Sequence, residues 1–379
     1  MTDAHVPGPD APGFDGPGLE RPGLDGPGLE PPGSDVPGLD VAGLARWLAR
    51  EHPGLAGAGP LRAALIDGGR SNLTYRIEGA AAPLVLRRPP LGHALPTAHD
   101  MRREHRVISA LRGTIPVPAT VDVVDDTGAR EVTGTVFFVM EHVDGQVLDH
   151  PAKNADWAPE GLHRLGIEVA EVLADLHAAE PGPLGLGGFG RPDGYLDRQM
   201  RTWRRQLDAS RSREVPDLDA LGARLAAGVP VSARAGIVHG DYRLDNMLVA
   251  GPPDAPRIAA VLDWEMATLG DPLVDLGMLG MYWHIREMAG DAGAAGAIVP
   301  GAGYPAFAEA VDAYAARAGT AVPDLRWYRS FACYKLAVIL EGVHFRFSRG
   351  QTVGEGFDAI GALVAPLAKE GLWISDPTR

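Results

Sequence analysis

The spacing of apolar and polar positions changes character near Gly145. Before it the apolar runs are short. LRAALID (61–67), NLTYRIE (72–78) and PLVLRRP (83–89) are β-type stretches separated by GGRS and EGAAA, which predicts three consecutive antiparallel strands joined by tight turns. HDMRREHRVISALRG (99–113) sets Met101, Val107, Ile108 and Leu111 at helical spacing, and ATVDVVDD and TVFFVMEHV add two strands around DTGARE. Beyond Gly145 the period lengthens. Leu162, Leu165, Val169, Val172, Leu173 and Leu176 line one face of a long helix, and helical segments continue to the end of the chain. One compact loop-and-hairpin region, IVHGDYRLDNMLV to RIAAVLDWE, interrupts them. The expected fold is α+β and bilobal: a small antiparallel-sheet lobe over 40–141, a larger and mainly helical lobe over 142–379, and a ligand in the seam.

The first 39 residues fit neither period. Pro-Gly recurs every five residues from Pro7 to Pro37, with an acid in most repeats, from Asp10 to Asp35. Proline removes backbone donors, glycine maximises the entropy lost on ordering, and the acids repel one another, so the tract cannot build a core. It reads as a disordered extension or as an acidic tail that recruits a protein partner. Asp40 is placed to cap the helix VAGLARWLAREH, which must end before Pro53.

Composition narrows the function classes. A net charge of -14 repels a phosphate backbone, so nucleic acid is an unsuitable partner. The single cysteine, Cys333, cannot form an internal disulfide, and no run is long and apolar enough for a membrane span, which together point to a cytoplasmic protein. Only three lysines occur, Lys153, Lys335 and Lys369, so nearly all positive charge is arginine and none of the lysines lies in the small lobe.

VHGDYRLDNMLV carries the chemistry. His239, Asp241 and Asn246 share one short loop, with Asn five residues after Asp, the spacing of a kinase catalytic loop. Phosphoryl transfer needs a carboxylate to receive the proton of the attacking hydroxyl and an amide oxygen to hold a metal on the phosphates; Asp241 and Asn246 supply them. Seventeen residues beyond Asn246 the strand IAAVLD ends at Asp263, a second ligand for Mg2+.

These motifs make the sequence resemble the aminoglycoside phosphotransferase and choline kinase-like family, and within it the subgroup fused to acyl-CoA dehydrogenases. VHGDYRLDNMLV and VLDWEMATLGDPLVDLG carry the likeness, supported by GGRSNLTYRI, LVLRRPP, the REH segment, GYLDRQMRTW and LAVILEGVHFRF. The resemblance implies a protein-kinase-like fold and an ATP- and Mg2+-dependent transfer to a hydroxyl. It implies that Gly68, Gly69, Ser71 and Asn72 form the turn over the phosphates, although a plain β-turn reads the same way. Val85 is expected against adenine and Arg87 against the phosphates, because residues two apart share a strand face; Arg88 is the alternative register. The family usually has lysine where Arg87 stands. Glu104 resembles the glutamate that pairs with this cation, and Glu141 and Val143 fall where the hinge backbone would hold adenine. His239 and Asp275 are expected to fix the loop rather than to react.

Only eleven residues separate Asp263 from Asp275, too few for a peptide-docking segment, so a small-molecule acceptor is expected. Its walls are sought in MYWHIREM and WYRSFACYKLAVILEGVHFRF, with Trp283 and Tyr334 as examples. Arg198, Arg201, Arg204, Arg205, Arg211 and Arg213 crowd one helical stretch, with Arg198, Arg201 and Arg205 on one face. They form either an anion site, for instance for a hydroxyacyl-CoA, or a solvated face paired with acids; an aminoglycoside would want an acidic cleft instead. A nucleotide-binding pseudokinase and a scaffold are the non-catalytic alternatives.

Overall fold

The computed structural model describes residues 36–66, 72–91, 99–289, 296–350 and 360–378. The small lobe runs α1 (Val41–Glu51), β1 (Arg62–Leu65), β2 (Leu73–Glu78), β3 (Leu84–Arg88), α2 (Met101–Leu111), β4 (Thr120–Asp125) and β5 (Val136–Glu141). Its five strands form one antiparallel sheet in the order β1-β2-β3-β5-β4. Strand alternation separates two layers. Leu84, Leu86, Phe137 and Val139 face α1, where Leu44, Trp47 and Leu48 cover them. Val85, Phe138 and Met140 face α2, and their core runs on without a break into the large lobe. Burying the Trp47–Phe137 pair, at 5.8 Å between ring centres, stabilises this lobe by about 2–3 kcal/mol per ring relative to exposure.

Asp40 caps α1 through its Oδ1, which accepts from Gly43 N at 2.8 Å. Among the described residues the packing extends four positions before Asp40. Val36 and Leu39 are buried, and the Tyr75 hydroxyl donates to Pro37 O at 2.5 Å. The last Pro-Gly repeat thus lies on the lobe: its two apolar residues flank a turn in which Gly38 adopts φ +77°, and Arg88 donates to Gly38 O. The earlier repeats lie outside the described residues.

The chain crosses between Glu141 and Gln146 into β6 (Gln146–Val147), α3 (Pro159–Ala178), α4 (Tyr195–Ser210), α5 (Pro216–Ala227), β7 (Gly236–Val238), β8 (Met247–Ala250), β9 (Arg257–Val261), β10 (Thr268–Gly270), α6 (Leu273–Ala289), α7 (Phe307–Ala318), α8 (Arg326–Ser348) and α9 (Val364–Ile374). The architecture is the expected kinase-like one, a small antiparallel-sheet lobe on a larger helical lobe. Strands β6, β8 and β9 form one small sheet and β7 pairs with β10 in another. The β7–β10 pair is absent from the sequence-based expectation because three-residue strands are too short to show alternation. The arginine-rich helix stops at Ser210, so Arg211 caps it and Arg213 lies beyond its end. α8 lies in the large lobe with every residue from Ser330 to Val343 buried, a position that makes any polar side chain on it costly unless partnered.

Candidate active site

The loop between β7 and β8 is held from below by one carboxylate. Asp275, fully buried at the start of α6, accepts from His239 N at 2.6 Å and from Gly240 N at 2.9 Å. Burial alone would raise its pKa; hydrogen bonds from His177 and the backbone amides bring it below the ordinary carboxylate range. His239 is locked on both ring nitrogens. Nε2 donates to Leu262 O at 2.9 Å, and Nδ1 accepts from Asp241 N at 3.2 Å. It therefore has no nitrogen left for proton transfer and acts as a spacer. Gly240 sits at φ +88°, and a Cβ there would meet Met266 O at 2.9 Å, so this turn admits only glycine without strain.

Asp241 projects from this frame. Asn246 Nδ2 donates to both Asp241 O and Asp241 Oδ2 at 2.9 Å, which turns the amide oxygen of Asn246 away from Asp241. The β8–β9 ladder pairs Met247 with Val261, and Leu262 N donates to Asn246 O at 2.8 Å, so Asn246 and Asp263 end adjacent strands side by side. Asp263 adopts φ 66°, ψ 61°, the left-handed region that disfavours a side chain, and such strain is characteristic of functional positions.

The small lobe meets this end with Arg87. Its Nη1 lies 3.0 Å from Glu104 Oε1 on α2 and its Nη2 lies 3.0 Å from Asp263 Oδ1. Burial opposes the charge on Arg87, but Glu104, Asp263 and Glu265 together overcome it and raise the pKa. Burial pushes Glu104 up to about 7 despite Arg87. Arg88 points to the opposite face, where it donates to backbone carbonyls of Gly38, Pro89 and Thr133. Val85 lies on the same face as Arg87, beneath the seam. Asn72 is buried, and its Nδ2 donates to Glu265 Oε2 at 3.1 Å, a second tie between the lobes. Glu141 closes β5, its own amide bonded to Ala119 O, and Val143 follows outside any strand. Gly68, Gly69 and Ser71 lie outside the described residues.

Several residues near Asp241 carry no signature in the motif. Lys335, in the apolar middle of α8, is buried and donates to Gly240 O at 2.6 Å. Burial lowers its pKa, against the pull of Asp241 and Asp275. A lone lysine in ACYKLAVIL is the signal that could have found it, because a buried cation needs a partner. Lys335 lines, with Tyr282, Met266 and Leu336, a recess beside Asp241 of about 10 Å³, roughly the room of one water. The Arg243 guanidinium stacks 4.3 Å over the Tyr282 ring and pairs with Asp245. Trp283, in contrast, faces the core with its Nε1 on Pro305 O, away from Asp241.

The arginine cluster divides. Arg204 pairs with Asp208 and Asp219, Arg211 with Asp219, and Arg213 with Glu341. Arg198 donates to carbonyls of Arg191 and Asp193 and Arg205 to Thr202; among the described residues no carboxylate pairs with Arg198, Arg201 or Arg205. These three line a groove of about 660 Å³ between α4 and α5 whose floor includes Tyr334, and the buried Tyr334 hydroxyl has no hydrogen-bond partner.

Among the described residues no three His, Cys, Asp or Glu side chains cluster to hold a metal unaided, and no helix is long and apolar enough to cross a membrane. Two oxygen donors, Asn246 Oδ1 and the Asp263 carboxylate, nevertheless fit Mg2+, which keeps several waters and takes further oxygens from phosphates.

Residues 62–330 match the model of the phosphotransferase enzyme family. Acyl-CoA dehydrogenase family member 11 of Gallus gallus is 34% identical over 341 residues, which is 88% of this chain and 43% of that protein, so the chain spans less than half of that relative's length. A crystal structure from Ralstonia eutropha, provisionally described as an aminoglycoside phosphotransferase, is 32% identical with a TM-score of 0.73, covering 89% of this chain and 98% of that one. An aminoglycoside phosphotransferase solved with GDP and kanamycin shares the fold at 16% identity and a TM-score of 0.58, covering 86% of this chain and 97% of that one.

Proposed function

The chain belongs to the phosphotransferase enzyme family, and on that premise we propose that it is an ATP- and Mg2+-dependent kinase that phosphorylates a hydroxyl of a small anionic molecule, a hydroxy acid or hydroxyacyl-CoA rather than an aminoglycoside. The observation that carries the reading is the convergence of Asp241, Asn246 and Asp263 beneath the Arg87–Glu104 pair in the seam.

Each residue has a role that follows from its bonds. Asn246 Nδ2 holds Asp241 Oδ2, which leaves Oδ1 to orient the acceptor hydroxyl and to take its proton as the oxygen attacks the γ-phosphorus. The new O–P bond forms, the bond to ADP breaks, and the proton stays on Asp241 until solvent removes it. Lys335 and Asp275 hold the backbone on which Asp241 stands, so the base is fixed before any ligand arrives. Asn246 and Asp263 would hold Mg2+, which neutralises phosphate charge when bound. Arg87 offers a fork-shaped cation to phosphate oxygens.

The acceptor class rests on charge. Among the described residues Arg198, Arg201 and Arg205 crowd one face without carboxylate ion pairs, and Arg191 and Arg201 add like-charge repulsion to Arg198, which an anion would relieve. A polycationic aminoglycoside would be repelled there. Acceptor-dependent ADP release, measured over hydroxy acids, their CoA thioesters, amino alcohols and aminoglycosides, tests this. Turnover with an anionic acceptor, and a KM raised at least tenfold by Arg201→Glu, is the expected result. Turnover confined to aminoglycosides would reverse the acceptor class, and bound ATP with no turnover on any acceptor would make the chain a nucleotide-binding protein only.

A further inference from the structure

Arg87 is placed differently from a simple phosphate ligand. One guanidinium, with its side chain 12% exposed, reaches a carboxylate in each lobe: Glu104 on α2 at 3.0 Å and Asp263 after β9 at 3.0 Å. Glu265 adds a third negative charge nearby, itself tied to Asn72 of the small lobe. The guanidinium therefore lies against the carboxylate that the proposed function assigns to Mg2+, where its charge neutralises Asp263.

We infer that Arg87 is a positioning residue that makes metal and nucleotide binding depend on each other: its fork must leave Asp263 before a divalent cation can take that carboxylate. The argument is one of charge partners. A metal ion arriving alone must displace Arg87 from Asp263 and strand part of a buried guanidinium, a costly loss because an unpaired charge in low dielectric has no water to turn to. Phosphates arriving alone meet a guanidinium already committed to two carboxylates, with Asp263 repelling them. When both arrive, Asp263 passes to the metal and the freed nitrogen of Arg87 passes to the phosphates. No charge is left alone. Each ligand raises the affinity of the other by the same factor.

The fork is what builds the coupling. Two nitrogens of one rigid plane engage Glu104 and Asp263 together, whereas a lysine ammonium is a point charge at the end of a flexible stem and would settle on one of them. Arg87→Lys keeps the charge and removes the bridge. The inference rests on Asp263 being a metal ligand, and the test separates the two ideas.

Mn2+ binding is measured by calorimetry without nucleotide, on the full chain, for wild type, Arg87→Lys, Asp263→Asn and Arg87→Lys with Asp263→Asn, with a Mn2+-induced shift in melting temperature as a second readout. Arg87→Lys is expected to bind Mn2+ at least tenfold tighter than wild type and to gain more thermal stability from it. The added Asp263→Asn change is expected to abolish that gain. Equal Mn2+ affinity in wild type and Arg87→Lys, with Asp263→Asn still weakening both, overturns the bridge and leaves the proposed function standing. Mn2+ binding indifferent to Asp263 removes the metal role itself.

Discussion

The two ends of the candidate active site are held by opposite means. Around Asp241 the supports among the described residues come from the large lobe, through hydrogen bonds to backbone: Asp275 on two amides, His239 on Leu262 O, Lys335 on Gly240 O and Asn246 on Asp241 itself. Around Arg87 the supports are side-chain ion pairs, one within the small lobe to Glu104 and one across the seam to Asp263. Backbone bonds within one lobe hold Asp241 in place whatever enters the seam, so its carboxylate is preorganised. Ion pairs across the seam must be exchanged when charged ligands enter. The difference teaches that this fold keeps the Asp241 loop rigid and leaves the ion pair across its seam exchangeable.

The largest effect that sharpens this contrast is expected at Asp241. Asp241→Asn keeps the shape of the side chain but removes the carboxylate that the proposed function makes the proton acceptor, so phosphoryl transfer should fall on the order of 10²-fold or more while ADP affinity stays within a fewfold. Single-turnover assays and ADP titration measure the two separately. Turnover at the wild-type rate with an identified acceptor would falsify the assignment of the base.

Asp275→Ala attacks the frame rather than the chemistry. It leaves the amides of His239 and Gly240 buried and unpaired, at a cost of about 1–3 kcal/mol each, so a matching loss in urea unfolding is expected together with reduced turnover. Unchanged stability would mean that the loop is not held from below.

The pH dependence of the two ends should have opposite signs. Glu104 titrates near about 7 in the folded chain against an ordinary value of 4.5, so the folded state keeps a proton that the unfolded state has lost. Its contribution is a penalty that grows as pH rises from 4.5 to about 7 and is constant above, on the order of a few kcal/mol at most. Asp275, with its pKa lowered, stabilises the fold above the ordinary carboxylate range and loses that contribution only in acid. Nucleotide-free melting at pH 5 and pH 8 should therefore show a slope that Glu104→Gln flattens; an unaltered slope would assign it to another group.

The smallest effect concerns the junction of tail and lobe. Removing residues 1–35 should leave the melting temperature unchanged, whereas removing 1–39 should destabilise by about 1–2 kcal/mol, because Val36 and Leu39 lose their burial and Tyr75 its acceptor. Identical melting curves for both truncations would show that residues 36–39 contribute nothing.

The sequence by itself determined what local spacing can encode. Strand period placed Val85 and Arg87 on one face, helix period gave the large lobe its helices, and the interval from Asp241 to Asn246 to Asp263 marked the candidate loop and the strand end beside it. The family likeness rests on those same short intervals. Tertiary structure alone decided which distant groups meet. It set Lys335 of α8 under Gly240, turned Tyr282 rather than Trp283 toward Asp241, and neutralised Arg204, Arg211 and Arg213 while leaving Arg198, Arg201 and Arg205 in the groove. It also joined Arg87 to Asp263, 176 positions further along the chain. The physical reason is range: dihedral preferences and side-chain periods act over a few residues, whereas ion pairs and burial act through space on segments that only the packed core brings together.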